Sequence, residues 1–303
     1  KLFIPDLSAF ANTTLWIDAI GQVFFSLSIM MAIMFAYGSF LDRNSNIAVD
    51  AIIIAFSDMA ISVLAGIVMF STMGGVGMLD IMSESGIVTA FIVYPQAIVS
   101  LTNIGWLNAL FGFIFYLCLV TLAIDSAFSI VEGVSTAIAD KFKFSHKKVV
   151  IWVCVAAGVI SLLFATRAGL AWLDIVDNWT NQYNMILIGI VECVAVGWFF
   201  NTTKVLDEIN LNTKKFKMPA WWFITSVKFV APALLTILLA LKMYTLFAVD
   251  GGIYGGYPMW AIMLGGWCVT VLCAVSGFIV KAIVANMKKK GFKEDDTSWD
   301  EIK

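Results

Sequence analysis

The sequence predicts an all-α, polytopic membrane protein with seven transmembrane helices, and three observations carry that prediction. Hydrophobic residues fill 61% of the 303 positions and charged residues only 13%, against about 45–50% apolar in an ordinary soluble domain. Mean hydropathy is +0.92, too high for a chain that wraps a polar surface around one compact core. A hydrocarbon layer about 30 Å thick takes about 20 apolar residues per helical crossing, and runs of that length recur along the chain. A soluble multidomain enzyme is excluded. The net charge of -2 argues against a phosphate-binding surface, so nucleic acid is not an expected partner.

Seven apolar segments can be drawn in order, at 14–40, 47–73, 104–139, 148–166, 172–200, 219–247 and 257–284. Between the second and third, residues 75–102 hold no Lys or Arg, carry Asp80 and Glu84, and contain an apolar run interrupted by Pro95. From residue 86 onward that run is too short and too broken for a crossing, and it reads as a re-entrant or interfacial hairpin at about 75–104.

Orientation follows from the positive residues, which resist transfer to the outer side. Arg43, Lys141, Lys143, Lys147, Lys148, Lys204, Lys214, Lys215, Lys217, Lys281, Lys288, Lys289, Lys290 and Lys293 fall in one set of alternate loops. The opposite set holds only Lys1, Arg167 and Lys242. The expectation is an outside N-terminus and a cytoplasmic C-terminus, which needs an odd number of crossings. The last residues turn from basic to acidic and read as a solvated tail. The start at Lys1 has no initiator Met and no signal-peptide pattern in residues 2–11, so it reads as cut.

Cys118, Cys154, Cys193, Cys268 and Cys273 lie inside apolar runs with no close pair, and read as small packing residues. His146 is the single histidine and sits in a basic loop beside Lys147 and Lys148. That leaves no soft-metal cluster and no histidine-based triad.

Carboxylates inside spans cost about 2.5–3.5 kcal/mol each on insertion scales, which makes each a functional candidate. Four stand out: Asp58 in the second span, Asp125 and Glu132 in the third, and Glu192 in the fifth. Asp125, Ser129 and Glu132 share roughly one helical stripe, and a carboxylate with a hydroxyl and backbone carbonyls supplies the hard oxygen ligands of a small alkali cation. The competing possibility is that these groups satisfy one another. Glu132 and Glu192 lean toward hydrogen-bonded glue, and Lys228 toward a snorkelling or paired cation. The first span places Gln22, Phe24, Phe25, Ser26 and Ser28 near its midpoint. A helix break there would expose carbonyls at mid-membrane depth; a polar helix interface is the plainer alternative.

The string WIDAIGQVFFSLSIMMAIMFAYGSF from Trp16 to Phe40 resembles the sixth transmembrane helix of the neurotransmitter:sodium symporter family, which has the leucine-transporter fold. GIVTAFIVYPQAIV at 86–99 resembles that family's large outer loop, LVTLAIDSAFSIVEGVSTAIAD at 119–140 its eighth helix, and WLDIVDNWT at 172–180 the start of its tenth. The resemblance covers essentially the whole chain, as helices six to twelve. It implies a second inverted-repeat half at 1–202 with five helices and the outer hairpin, two further helices at 203–286, and a cytoplasmic tail at 287–303. The first five helices of the same protein would then be partners that the chain lacks.

By that resemblance, the unwound stretch of the sixth helix maps onto 25–31. Phe25, Ser26, Ser28 and Met31 would line the substrate pocket, with Ser126 and Ile130 opposite. Ile29, Met30 and Ala32 depart from the family's glycine-rich pattern there. The first sodium site maps onto Ser26 and Asp58, the second onto Asp125, Ser126 and the Leu122 carbonyl. Gln22 and Asp177 match the outer gate and Asp140 the inner one, while Phe40 replaces a tyrosine of the inner network. Asp58 stands where many relatives have Asn, and Gln22, Ser26 and Ser62 match chloride-coordinating positions of the animal transporters. A carboxylate at Asp58 already places negative charge beside sodium, so the expectation is that chloride is not required. The activity implied is sodium-coupled symport of an amino acid or related small zwitterion across the plasma membrane, with no enzymatic chemistry. A seven-helix receptor or sensor and an ion channel are the competing classes. The last span has no mid-depth lysine for a retinal Schiff base, which counts against the photoreceptor form of the first.

Overall fold

In a computed structural model, the structure describes residues 7–11, 13–42, 44–77, 89–213 and 217–289. Lys1, Arg43, Asp80, Glu84, Gly86, Lys214, Lys215 and the tail beyond Lys289 lie outside the described residues. All regular structure among the described residues is helical. The protein is an all-α, multi-pass membrane protein.

The expected first span is two helices, α1 (Thr13–Ser26) and α2 (Ile33–Ser39), separated by a break. After it come α3 (Ile47–Val76), the short α4 (Tyr94–Val99), α5 (Gly105–Phe142) and α6 (His146–Ser161). The long α7 (Gly169–Phe199), the surface helix α8 (Thr202–Asn210), α9 (Ala220–Val249) and α10 (Met259–Met287) complete the order. Helices α3, α5, α7, α9 and α10 are each long and apolar enough to cross a membrane.

Helix α6 has 16 residues, a length of about 24 Å at 1.5 Å per residue. Beyond it, residues 163–166 donate backbone hydrogen bonds three positions back, as in Phe164 N–H to Ser161 C=O at 3.0 Å and Ala165 N–H to Leu162 C=O at 3.2 Å. That tighter winding rises about 2 Å per residue and lengthens the segment beyond α6.

Three sequence expectations are corrected here. The segment around Pro95 is not interrupted: a π-type turn at Thr89–Val93 passes directly into α4, Pro95 falls just past the join, and the Ala90 carbonyl, five residues before it, accepts from the Tyr116 hydroxyl at 3.4 Å. His146 is not in a loop but is the first residue of α6. All five cysteines are free thiols, but Cys118, Cys154, Cys268 and Cys273 are exposed on helix surfaces rather than packed inside, and only Cys193 is half-buried.

The chain divides into two compact units, one holding Ile53–Ser129, the other Ser8–Ile52 with the residues from Ile130 on. In the first, α4 is held to α5 by rings, with Tyr94 and Phe115 centroids 4.9 Å apart. Asn108 closes the connection between them: its amide donates to the Val99 carbonyl at 2.7 Å and to the Thr102 carbonyl at 2.8 Å, and its oxygen accepts from the Thr102 hydroxyl at 2.6 Å.

In the second unit, the core lies where α7 meets α9 and α10. Ile175, Trp179, Tyr183, Leu246, Ala261 and Ile262 form one buried cluster, and Ile186, Leu235 and Leu238 form another, against which Ile20, Phe24 and Met30 pack. Lipid tails are as apolar as these side chains, so close packing rather than transfer from water holds such helices together. Gly265 and Gly266 of α10 permit it: a side chain at Gly265 would meet Ile175 and Trp172, and one at Gly266 would meet the Trp179 ring.

Candidate functional site

The site grows from the break in the first span. Helix α1 ends with Leu27 N–H donating to the Val23 carbonyl at 3.1 Å, then Ile29 N–H to the Phe24 carbonyl at 3.0 Å, and the ladder resumes with Ala36 N–H to the Ala32 carbonyl at 3.1 Å. Between them Ser28, Met30 and Ala32 take positive φ angles of 53°, 66° and 62°. For residues with a Cβ such conformations cost about 1–2 kcal/mol each, and they persist only where the surroundings over-determine them.

Two glycines from other helices supply that restraint. A Cβ on Gly133 of α5 would sit 3.3 Å from the backbone of Ala32 and Ile33. A Cβ on Gly189 of α7 would collide with the Met30 thioether, whose end lies over that glycine. The break is therefore held between α5 and α7, by direct backbone approach at Gly133 and through the Met30 side chain at Gly189.

Beside the break, a cavity of about 380 Å³ separates α1 from the first half of α7. Gln22 and Phe25 face it from α1, and Asp177 faces it from α7, so three residues singled out from the sequence meet at one cavity. Asp177 accepts from the Asn181 amide at 2.7 Å. Asp18, Asp174, Asn178, Asn181, Gln182 and Tyr254 complete the wall. Asp18 pairs with Lys242 at 3.8 Å, leaving a mouth with more carboxylate than cation, which attracts cations and the ammonium end of a zwitterion. Asn178 Nδ2 and Gln182 Oε1 are buried without a hydrogen-bond partner, polar capacity that a bound solute or water can use.

Sequence reasoning did not find that polar wall. Its signal is the density of Asp177, Asn178, Thr180, Asn181 and Gln182 in an otherwise apolar helix. Residues Thr180–Asn184 form a π-type turn inside α7, a distortion that recurs at functional sites.

The loop between α9 and α10 caps the cavity. Gly251, Gly252, Gly255 and Gly256 all have positive φ, the conformation glycine adopts without a Cβ penalty. The loop turns back so that Tyr257 donates its hydroxyl to Asp174 Oδ2 at 2.9 Å and Tyr254 to Oδ1 at 3.4 Å. Tyr254 also stands edge-on to Trp179, with centroids 5.6 Å apart. Burial, then the charge of Asp174, pushes the Tyr254 hydroxyl up to about 12, and burial with the hydrogen bond to Asp174 raises Tyr257. The neutral, donating phenols are thus favoured. Their anchoring is complete below the ordinary tyrosine value of 10.0 and is lost as pH rises through about 12 for Tyr254. Tyr257→Phe removes the shorter bond and is expected to lower stability by about 1 kcal/mol. Tyr254→Phe keeps the ring packing and should cost less. Thermal unfolding of the purified protein below and above pH 10 checks both.

The remaining candidates are distributed as follows. Ser26, Ser28 and Met31 follow Phe25 into the break and are half-buried. Ile130 and Asp140 are exposed on the part of α5 that belongs to the same unit. Asp58, half-buried on α3, and Leu122, Asp125 and Ser126, exposed on α5, belong to the other unit, where they stand on two separate helices. The Asp125 carbonyl accepts from the Ser129 hydroxyl at 3.2 Å. Glu132 is engaged as structural glue, accepting from the Thr136 hydroxyl at 3.2 Å and lying 3.3 Å from His146 Nε2. Lys228 is half-buried in a π-type turn packed on Gly197, and its carbonyl accepts from the Trp198 indole at 3.4 Å.

The chain is 33% identical over 290 residues to an uncharacterized sodium-dependent transporter of Methanocaldococcus jannaschii, covering 94% of the chain and 56% of that protein. It is 29% identical over 295 residues to the sodium- and chloride-dependent glycine transporter 2 of Xenopus laevis, covering 93% of the chain and 36% of the relative. It is 28% identical over 289 residues to the human sodium- and chloride-dependent neutral and basic amino acid transporter B(0+), covering 91% and 44%. The chain thus spans about half, or less, of the length of these curated relatives. The model of the sodium:neurotransmitter symporter family, a family of transporters and not of enzymes, matches residues 1–289, and the chain belongs to that family.

Proposed function

We propose that this chain is the part of a sodium-coupled symporter that carries one amino acid or related small zwitterion by alternating access, completed by preceding helices of the same protein. The observation that carries the proposal is the break at Leu27–Ala32, beside a carboxylate-rich cavity that Gln22, Phe25 and Asp177 line. Carbonyls at the C-terminal end of α1 carry partial negative charge, and an interrupted helix at membrane depth is where coupling ions and substrate meet in transporters built this way. The relatives, named as sodium-dependent in each case, support sodium as co-substrate.

In this proposal Phe25, Ser26, Ser28 and Met31 line the substrate pocket, with Ser126 and Ile130 opposite. Ser26 and Asp58 hold one sodium, while Asp125, Ser126 and the Leu122 carbonyl hold the second. Sodium stabilises an outward-open state, and substrate then favours closure over Gln22 and Asp177, with Asp140 closing the inner side. Residues 1–202 form the second repeat, 203–286 add two helices, and 287–303 form a cytoplasmic tail of a plasma-membrane protein.

Proteoliposomes containing the full-length protein test the proposal. Saturable accumulation of a labelled amino acid, driven by an inward sodium gradient and abolished by potassium replacement, is the expected result. Passive equilibration without accumulation would mark a channel or sensor instead. Because Asp58 places a fixed negative charge beside the first sodium, replacing chloride with gluconate should leave uptake unchanged. A collapse of uptake would overturn the chloride expectation while leaving sodium coupling intact.

A further inference from the structure

Away from the transport cavity, the elbow between α5 and α6 encloses a second concavity of about 610 Å³, within the range of small-ligand sites. Its composition is segregated. Lys143 and Lys148 stand at the elbow, where α5 ends and α6 begins. Phe144 and Ser145 share the elbow with them, Ile138 faces in from α5, and Val149, Trp152, Val153 and Ala156 line the rest. Those four positions are spaced i, i+3, i+4 and i+7, a single stripe of α6, and the stripe continues upward through Lys148. From Lys148 to Ala156 the helix descends about 12 Å. Trp152 is 72% exposed along it.

The elbow of a helical hairpin lies at the water boundary of a bilayer, so the lysines sit at headgroup level and the stripe runs down among the acyl chains. Basic pockets between membrane helices recognise anionic headgroups by charge. A free phosphate would use only the lysine end and leave the apolar stripe unmatched, and a zwitterionic lipid would offer the same phosphate but set its own ammonium against the two lysines. We propose that this groove binds one anionic phospholipid, its phosphate against Lys143 and Lys148 and an acyl chain along Val149, Trp152, Val153 and Ala156. The site is separate from the transport cavity and stands whether or not the protein carries solute.

Native mass spectrometry of the detergent-purified full-length protein, titrated with phosphatidylglycerol or phosphatidylcholine, tests it. The wild type should retain phosphatidylglycerol in preference, and soluble glycerol phosphate should not displace it. Each of Lys143→Gln and Lys148→Gln should weaken phosphatidylglycerol retention about fivefold, whereas Lys147→Gln, off the stripe, should not. Trp152→Ala should weaken both lipids together. Equal retention of the two lipids by the wild type, undiminished retention in the Lys143→Gln/Lys148→Gln double variant, or displacement by glycerol phosphate would each overturn the proposal. The wild-type comparison needs no variant, so a folding defect cannot mask the outcome.

Discussion

Replacing Asp125 with Ala in the full-length protein is expected to raise the sodium concentration needed for half-maximal uptake by ten- to several-hundredfold, on the order of 1.4–4 kcal/mol. Two unit charges about 4 Å apart interact by about 4 kcal/mol at an effective dielectric of 20, and each 1.4 kcal/mol is tenfold in affinity. The Asp125 carbonyl is already an acceptor for Ser129, so the group with unspent capacity for a cation is the side-chain carboxylate. Asp125→Asn keeps shape and one oxygen but removes the charge, and should lose sodium affinity nearly as severely. Should both variants keep wild-type sodium activation in an uptake assay, Asp125 has no coupling role. Ser129→Ala serves as a control, because it frees a backbone acceptor without changing charge and should leave sodium affinity within a few-fold.

How much of this could be read from the sequence depends on the range of the forces involved. Seven hydrophobic segments are a local property, and the lengths of α3, α5, α7, α9 and α10 follow it. The break in the first span was legible only through resemblance, because Ser28, Met30 and Ala32 are not residues whose own preference is for positive φ. Its position also differs from the expected 25–31. The hydrogen bond from Leu27 to Val23 keeps the first helix regular through Ser26, so the unwinding falls at 27–32. The glycines between Gly251 and Gly256 are local composition. The pairing of Tyr257 with Asp174, 83 residues away, is not, since nothing local encodes it. His146 misled for a related reason: its basic neighbours describe a solvated stretch, but its partner is Glu132, one helix back across the elbow. The outward cysteines reflect the solvent itself, because in lipid an apolar run carries no signal of which face is packed.

Gly133→Val should abolish transport while leaving a protein that still inserts. The reason lies in what the neighbouring atoms can do. At Gly189 the group in the way is the flexible end of Met30, which can swing aside, so Gly189→Ala is expected to reduce uptake only a few-fold. At Gly133 the groups in the way are the Ala32 carbonyl and the Ile33 amide, 3.3 Å from where a Cβ would stand. Backbone atoms have no rotamer to change. A valine there must push the start of α2 away from α5, releasing the restraint that keeps Ala32 left-handed at a cost of about 1–2 kcal/mol and adding about 1–3 kcal/mol of overpacking. The segment can then relax toward a continuous helix, drawing the carbonyls of 27–32 into a ladder. Gly133→Ala should be intermediate. Sodium-driven uptake measured alongside surface expression separates the cases: normal expression with no uptake is the expected result for Gly133→Val, and normal expression with normal uptake would show that the contact between α5 and the break is dispensable.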